Sequence, residues 1–493
     1  MNMQALGDAL RRGFILNGER LHACLHSRER EQGRVTSGNI VILGAGPTGL
    51  GTAYRLAELG HPTWDVYERA DHVGGLASSY RDPQGFIWDH GGHVMFSHYT
   101  YFDDLVEQML RGDYDQHLRE AWVWIANRFV PYPFQNNIHR LPKDAFLACV
   151  MGIVEAQKRA LPRATFKQWI NAVFGAGIAD HFMLPYNFKV WAHPLEMMGT
   201  EWQGDRVPTV DLRRILQNHL DDRDDVSWGP NNKFKFPLLG TGMLYERIAE
   251  ALPKAVNLDA NVSEIDTERR VVTFADGRSA VYDTLVTTLP LTELVKIIPG
   301  CPAEVRAAAR DLHHTEGYFV GIGVADPCPS SKCWIYFPEP DSPFYRVTYL
   351  SNYSPRMTPG PGHFSLLAEV SSSPYKREDA ASVVERTIGG MVSSQLLTRA
   401  QADTKIVSRE LMHVPYSYPV PTIGRDAALA VIQPWLMARG IYSRGRFGAW
   451  RYEIGNTDHS VMQGVELADL LVTGKPETTW SLPPGEEARA AIA

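Results

Sequence analysis

The sequence predicts an α/β protein in which a domain built on a parallel sheet is interrupted by a helical domain and an antiparallel sheet domain. The first observation is a short apolar run at 39–43, followed by closely spaced glycines and an amphipathic helix. The second is helical periodicity over 145–194, and the third is an enrichment in β-branched and aromatic residues over 318–370. Because strand patterns return at 256–290 and 440–474, the first domain is expected to be discontinuous.

Length and composition bound the class of protein. A chain of 493 residues predicts two to four domains. A net charge of −7 gives no reason to expect nucleic acid or an anionic membrane as a partner. No apolar run approaches the length of about 18 residues that a transmembrane helix needs. The 12 Trp and 20 Tyr fit either an aromatic core or a pocket that stacks on a ring, and their number alone favours a core.

The cysteines and the N-terminus indicate a cytoplasmic protein. The five cysteines are an odd number and form no CxxC pair, which argues against a disulfide framework and against a metal site. Residues 1–34 alternate charges with apolar runs too short for a signal peptide, so they are interpreted as an N-terminal extension.

The first chemical signal is a glycine motif between a strand and a helix. Gly44, Gly46 and Gly49 follow the apolar run, and Glu68 ends the next strand pattern about 19 residues after Gly49. Such glycines permit a tight turn and close approach to a pyrophosphate, while the acid would bind ribose hydroxyls. The pattern predicts a Rossmann-type dinucleotide-binding domain.

A second glycine turn follows the acid closely, in the stretch "DHVGGLASSY" at 71–80. This arrangement resembles the extended FAD fingerprint more than an NAD site, so FAD is the predicted cofactor. The residues expected to bind FAD from these motifs are Gly44, Gly46, Thr48, Gly49, Glu68, Gly74, Gly75 and Leu76.

The predicted domain boundaries follow from these segments. The FAD-binding domain is expected at 35–110, 228–300 and 425–475, and the helical domain at 140–227. The antiparallel sheet domain, which would hold the substrate, is expected at 111–139 and 301–424, and a C-terminal tail at 476–493.

Several long strings make a family resemblance specific. They are "DHGGHVMFSHYTYFDD", "VPYPFQNNI", "PYNFKVWA", "KCWIYFPEPDSPFYRVTYLSNYSP" and "SRGRFGAWRYEIGNTDHS". Together they resemble the eukaryotic type of the UDP-galactopyranose mutase family, from about residue 39 to 474. The resemblance implies an FAD-dependent isomerase that interconverts the pyranose and furanose forms of a nucleotide-bound galactose without net redox. In that family, N5 of the reduced flavin attacks the anomeric carbon, the nucleotide departs, and a flavin–sugar iminium forms as the ring opens.

The resemblance also implies roles for particular residues. Gly91, Gly92 and His93 match the mobile loop beside the flavin, although a Gly-Gly-His turn alone indicates only a loop. Arg206 and Arg346 match the two arginines that hold the diphosphate, which suits the fixed fork of a guanidinium. With His93 and these arginines, the expected catalytic set includes Asn231, which matches a loop residue that contacts the substrate.

Further positions match substrate, flavin and reductant sites. Tyrosines expected to reach the diphosphate are Tyr336, Tyr353, Tyr418 and Tyr452. Residues over the uridine ribose and sugar are Asn187 and Trp191. The loop expected to hold the base contributes Tyr132, Phe134 and Gln135. Additional flavin contacts are Arg446, Gly455 and Asn456. NADPH is the expected reductant, held by His98 and Arg119.

The sequence departs from the family pattern at His90, Leu184 and Thr457, and in a shorter stretch after "SNYSP". These departures leave open a related mutase acting on another nucleotide sugar, such as GDP-galactose. They also leave open a possible homo-oligomer. An FAD amine oxidase or desaturase is a more distant alternative, since it shares the dinucleotide-binding domain, and a non-catalytic flavoprotein is the remaining one.

Overall fold

The computed structural model describes residues 38–204, 207–226 and 232–481. The N-terminal extension at 1–34, Arg206, Asn231 and the end of the C-terminal tail lie outside the described residues. Within the described part of the chain, no helix is both long enough and apolar enough to cross a bilayer.

The strands, numbered in chain order, are β1 Ile40–Leu43, β2 Trp64–Tyr67, β3 Ser79–Arg81, β4 Ile87–Asp89, β5 Tyr114–Leu118, β6 Ala121–Ile125, β7 Arg128–Pro131, β8 Lys233–Pro237, β9 Val262–Asp266, β10 Val271–Phe274, β11 Ser279–Val281, β12 Thr284–Thr287, β13 His314–Val324, β14 Trp334–Tyr336, β15 Arg346–Tyr349, β16 Phe364–Ser372, β17 Ile406–Pro419 and β18 Ile441–Ser443.

The helices, numbered in the same way, are α1 Pro47–Glu58, α2 Thr100–Leu110, α3 Lys143–Gln157, α4 Phe166–Ile178, α5 Leu184–Trp191, α6 Leu212–Leu220, α7 Gly242–Glu250, α8 Leu291–Leu294, α9 Ala303–Arg310, α10 Val383–Ser393, α11 Arg399–Thr404, α12 Arg425–Met437 and α13 Thr457–Thr473. A π-helical turn, Ala179–Met183, joins α4 to α5.

A four-stranded parallel sheet, in the order β18-β12-β1-β2, forms the centre of the first domain. β1 and β12 are buried along their whole length, as expected for parallel strands covered on both faces. Strands distant in sequence meet in this sheet, so the domain is discontinuous and the predicted fold class is confirmed.

The helices α1 and α13 pack closely against each other beside this sheet. A side chain added at Gly464 of α13 would lie 2.1 Å from the carbonyl oxygen of Thr48 in α1. The Thr48 hydroxyl donates to the carbonyl of Ser460 at 2.7 Å, which joins the N-terminal turns of the two helices. The two helix N-termini are therefore held side by side.

A seven-stranded sheet, in the order β17-β13-β16-β15-β14-β6-β7, forms the second layer. Its neighbours are antiparallel except β14 and β6, which run parallel. The central strand β16 is buried throughout. β5 instead pairs with β8 in a separate two-stranded sheet.

The helical domain is built on α3, α4 and α5, whose apolar residues share a core with the loop after β7. α4 begins at a capping box in which Thr165 and Gln168 bond each other's backbone N–H groups. This packing places the helical domain against the edge of the seven-stranded sheet that carries β6 and β7.

Candidate active site

The first glycine turn connects β1 to α1 with very close backbone packing. A side chain added at Gly49 would lie 1.8 Å from the carbonyl oxygen of Gly44, so the helix can approach the strand only with glycine there. Glu68, at the end of β2, accepts the backbone N–H of Ala45 at 2.7 Å. Glycine, helix N-terminus and acid thus meet at one edge of the sheet, as a dinucleotide requires.

The second glycine turn lies directly against the first. The N–H of Gly74 donates to the carbonyl of Ala45 at 2.9 Å. A side chain added at Gly75 would lie 3.3 Å from the Cα atom of Gly46, while Leu76 is partly buried against the neighbouring cores. The two turns form a narrow backbone cradle that any larger residue would fill, and this fits the adenine-nucleotide half of FAD.

The start of α13 brings the late-chain residues to the same edge. Asn456 is the residue that precedes the helix, and Arg446 donates from Nε to the carbonyl of Gly455 at 3.0 Å. The Arg446 guanidinium also lies 5.4 Å from the ring centroid of Tyr418. A helix N-terminus and a guanidinium together create a positive environment, which would suit an anionic reduced flavin.

The loop Gly91–His93 lies between this edge and the seven-stranded sheet. Gly92 donates its N–H to the Glu369 carboxylate at 3.1 Å. The Nδ1 atom of His93 is buried and has no hydrogen-bond partner among the described residues. Burial, followed by the charges of Arg446 and Arg346, lowers the pKa of His93 to about 3. His93 is therefore neutral at physiological pH, with an orphaned ring nitrogen that a bound group could satisfy.

Arg346 is held in a bidentate ion pair. Its Nε and Nη2 atoms donate to the two oxygens of Glu369, at 2.6 and 2.8 Å. The Glu369 carboxylate also accepts the hydroxyl of Tyr345 at 2.7 Å. Although burial opposes the charge, Glu369 holds the pKa of Arg346 above its ordinary value. The arginine is permanently charged and fixed in orientation.

Half-buried tyrosines lie near Arg346 in two groups. Tyr336 contacts the rings of Tyr132 and Tyr186, with centroids 5.1 and 5.2 Å away. Tyr418 and Tyr452 have centroids 5.7 Å apart. Burial raises the pKa of Tyr186 well above its usual range, and the nearby Arg346 charge opposes that rise. Tyr186 is therefore close enough to Arg346 to interact with its charge.

Three other predicted substrate residues are more deeply placed. Tyr353 is 1% exposed and packs on Phe236, with centroids 4.9 Å apart. Trp191 packs on Tyr452, with centroids 4.8 Å apart. Asn187 donates to the carbonyl of Met183 at 2.7 Å within its own helical segment. All three side chains are more deeply buried than Tyr336, Tyr418 and Tyr452.

The loop at 132–137 is scaffolded by its own amides. Asn137 is fully buried and donates from Nδ2 to the carbonyls of Pro131, Pro133 and Asp225 at 3.1, 3.0 and 2.8 Å. The Gln135 amide donates to the carbonyl of Pro208. Phe134 is buried in the core of the helical domain. Tyr132 instead contacts the ring of Tyr336 and the guanidinium of Arg119.

The two residues expected to hold NADPH lie in different surroundings. His98 is exposed and lies 3.8 Å from the Asp458 carboxylate, next to His459. The ligand atoms of these three side chains lie within 4.8 Å of one another, close enough to share a metal ion. Arg119 instead stacks over the rings of Tyr132 and Trp334, at 5.5 and 5.0 Å.

Two important residues were not singled out from the sequence. Glu369 joins the Gly91–His93 loop, called the histidine loop below, to Arg346. Its signal is a single acid inside the fully buried strand β16. Asn137 belongs to the string "VPYPFQNNI", and its structural role depends on carbonyls that the fold brings to it.

Comparison with known proteins identifies the family. The pattern of the flavin containing amine oxidoreductase family matches residues 47–468. A crystal structure of a reduced UDP-galactopyranose mutase is 46% identical, covers 90% of this chain and 97% of its own, and has a TM-score of 0.86.

More distant matches share parts of the sequence or the fold. A Klebsiella pneumoniae protein named "Probable UDP-galactopyranose mutase" is 25% identical over 43% of this chain and 53% of its own. The curated relatives are matched over only 12% to 56% of their own lengths. A putrescine oxidase bound to putrescine is 17% identical with a TM-score of 0.60, over 87% of this chain and 98% of its own, which shows the fold alone. The chain therefore belongs to the flavin containing amine oxidoreductases and is a member of the UDP-galactopyranose mutase family.

Proposed function

We propose that this protein is a flavin-dependent nucleotide-sugar mutase that interconverts UDP-galactopyranose and UDP-galactofuranose. The observation that carries the proposal is the 46% identity to a reduced UDP-galactopyranose mutase, which extends over 97% of that structure. The arginine and tyrosines beside the predicted flavin edge support it, because an amine oxidase has no need of a diphosphate site.

The flavin would be held by the two glycine turns, Glu68 and the start of α13. Backbone N–H groups at a helix N-terminus bind a pyrophosphate well. When bound and reduced, the flavin supplies the nucleophile for the sugar carbon. Gly91, Gly92, Arg446, Gly455 and Asn456 would surround its ring system.

Arg346 would bind the diphosphate through its remaining N–H groups. Glu369 occupies Nε and one hydrogen of Nη2, so Nη1 and the other Nη2 hydrogen are left for phosphate oxygens. Arg206 would supply a second charge. A fixed cation of this kind stabilises the nucleotide as it leaves, because negative charge develops on its terminal phosphate.

The tyrosine hydroxyls would complete the phosphate site from rigid side chains. Tyr336, Tyr418 and Tyr452 are half-buried, so their hydroxyls can reach a ligand with little loss of side-chain entropy. Tyr353, Asn187 and Trp191 would close the sugar pocket behind them.

The base would stack on Tyr132. The loop that carries this residue is held by Asn137. The backbone of Phe134 and the side-chain amide of Gln135 would bond the edge of the base. Since an amide both donates and accepts, Gln135 by itself does not distinguish uracil from another base.

His93 would act as a neutral hydrogen-bonding group beside the sugar. With a pKa of about 3 it carries one ring proton at pH 7 and has one acceptor nitrogen. It can therefore orient a hydroxyl without adding a positive charge that would compete with the arginines.

NADPH is the proposed reductant, with His98 and Arg119 as candidate contacts. We expect NADPH to bleach the flavin absorbance of the anaerobic protein, and an Arg119→Ala variant to slow that bleaching. A cytoplasmic location would suit both the reductant and the free thiols of Cys149, Cys301, Cys328 and Cys333. Assembly as a homo-oligomer can be tested by light scattering.

The substrate assignment is tested by incubating dithionite-reduced protein with UDP-galactofuranose and with GDP-galactofuranose. We expect the UDP sugar to be converted to its pyranose form without consumption of an electron acceptor. Chromatography measures the pyranose that is formed. Conversion of the GDP sugar alone would overturn the assignment, and net oxidation of an amine substrate would favour an oxidase.

A further inference from the structure

The Glu369 carboxylate contacts both the histidine loop and the candidate diphosphate-binding arginine. It is 1% exposed and accepts four hydrogen bonds. Oε1 accepts from Gly92 N–H at 3.1 Å and from Arg346 Nε at 2.6 Å. Oε2 accepts from Arg346 Nη2 at 2.8 Å and from the Tyr345 hydroxyl at 2.7 Å. An ionised carboxylate offers about four acceptor positions, so these donors fill them.

Backbone register sets the ion pair. Arg346 of β15 lies directly opposite Glu369 of β16 in the antiparallel ladder. Side chains in such positions are near neighbours on one face of the sheet. Because β16 is a central strand bonded on both sides, the carboxylate has little freedom to follow a moving partner.

The histidine loop rests tightly on the same face of the sheet. A side chain added at Gly92 would lie 2.6 Å from the Thr348 hydroxyl and 3.5 Å from Glu369 Oε1. The Gly92 N–H is therefore held close to the carboxylate by packing.

One carboxylate oxygen is shared between the arginine and the loop. An anion bound at the outer N–H groups of Arg346 would compete with Glu369 for the positive charge of the guanidinium. Weaker pairing between Arg346 and Glu369 would make Oε1 a stronger acceptor for Gly92, since charged groups form the stronger hydrogen bonds.

We propose that Glu369 is a positioning residue that couples occupancy of the anion site at Arg346 to the conformation of the Gly91–His93 loop. The proposal deepens the proposed function, from which it takes a nucleoside diphosphate as the anion. Coupling of this kind is reciprocal, so the loop would also influence affinity for the anion. The result is a loop whose Gly92 hydrogen bond to Glu369 is strongest when the diphosphate is in place.

The test is hydrogen–deuterium exchange of the FAD-loaded protein with and without saturating UDP, followed in a peptide covering residues 86–96. In the wild type, UDP is expected to slow exchange about threefold, which is the scale of one strengthened charge-assisted hydrogen bond. In Glu369→Gln the slowing is expected to disappear while UDP still binds. Equal slowing in that variant, or none in the wild type, would overturn the proposal.

Two further variants separate coupling from simple structural damage. Tyr345→Phe removes one donor to the same carboxylate but leaves both Arg346 and Gly92 in place, so the UDP effect is expected to persist. Glu369→Asp keeps the negative charge but moves the carboxylate away from Gly92 and Arg346, so it is also expected to lose the UDP effect. This variant replaces Glu369→Gln in the test if Glu369→Gln does not fold. Bound-flavin absorbance shows that each variant is folded.

Turnover of UDP-galactofuranose by the wild type is measured separately. If the wild type converts UDP-galactofuranose and UDP still slows exchange in Glu369→Gln, the inference fails and the proposed function stands. If the UDP effect depends on Glu369 but the wild type has no turnover, the proposed function fails and the inference stands.

Discussion

The guanidinium of Arg444 lies between the Glu477 carboxylate and the ring of Trp480. Two hydrogen bonds of 2.7 and 2.6 Å join the ion pair, and the guanidinium carbon lies 3.3 Å from the ring centroid. Arg444 is fully buried, so residues just after α13 complete the packing at the β18 edge of the parallel sheet.

Glu477→Ala is expected to destabilise the protein by about 3 kcal/mol, because it leaves a buried guanidinium without its counter-charge. Urea unfolding of the FAD-loaded protein measures this. Glu385→Ala is the matched control, since its pair with Arg409 is exposed and contributes roughly 0.5 kcal/mol. Equal effects of the two substitutions would contradict the role given to Arg444.

Arg346→Ala is expected to lower turnover of UDP-galactofuranose by about 100- to 1,000-fold, or roughly 3–4 kcal/mol, because a preorganised charge is lost. FAD should remain bound, since Arg346 lies on the seven-stranded sheet. Arg386→Ala removes a half-exposed arginine of another ion pair and should leave turnover unchanged. Near-normal activity of the Arg346 variant would show that this arginine does not bind the diphosphate.

Gly49→Ala is expected to abolish FAD binding, because its new methyl group would meet the Gly44 carbonyl at 1.8 Å. The flavin absorbance of the purified protein reports this directly. Gly389→Ala is the control, since nothing lies within 4 Å of its added carbon and it is inside a helix. That control should bind FAD normally and gain about 0.5–1 kcal/mol of stability.

His93→Gln is expected to reduce the loss of stability in mild acid. His93 has a folded pKa of about 3 and an ordinary value of 6.5, so the unfolded chain binds its proton first. Stability from this residue is complete above pH 6.5 and falls as the pH drops toward 3. At pH 5 the variant should recover about 1 kcal/mol, a value reduced for partial exposure. The measurement is the melting temperature of the wild type and of the variant at pH 7.5 and at pH 5. An equal fall in melting temperature for the two proteins would contradict the prediction.

Asn137→Ala is expected to weaken UDP binding and to cost about 2 kcal/mol of stability, because three buried carbonyls lose their donor. Calorimetric titration with UDP and thermal melting provide the two measurements. Asn171→Ala removes a single bond to the Lys167 carbonyl at a less buried helix position, and it should change neither quantity appreciably. Unaltered UDP affinity in the Asn137 variant would show that this loop does not bind the base.

Local patterns carried much of the prediction. The glycine turns, the helix that follows them and the acid at Glu68 are close in sequence, so spacing alone places them together at one sheet edge. The inserted helical segment was visible for the same reason, since helical periodicity is local. The long strings of family residues then indicated the chemistry, although Arg206 and Asn231 lie outside the described residues.

Contacts between residues on different strands could not be predicted from local sequence patterns. The pairing of Arg346 with Glu369 depends on the register of β15 against β16, and the Gly92 contact brings in a residue 277 positions away. The family resemblance assigns the loop at 132–135 to the base, but it does not reveal that Asn137 bonds to the backbone of this loop and of Asp225.

The sequence by itself determined the fold class, the predicted flavin site and the family, because each rests on short-range patterns or on long contiguous strings. Only the tertiary structure decided which charges face one another, how His93 is kept neutral and which amides hold the loop. Those properties depend on burial and on distances between segments far apart in the chain, and the order of residues does not specify either one locally.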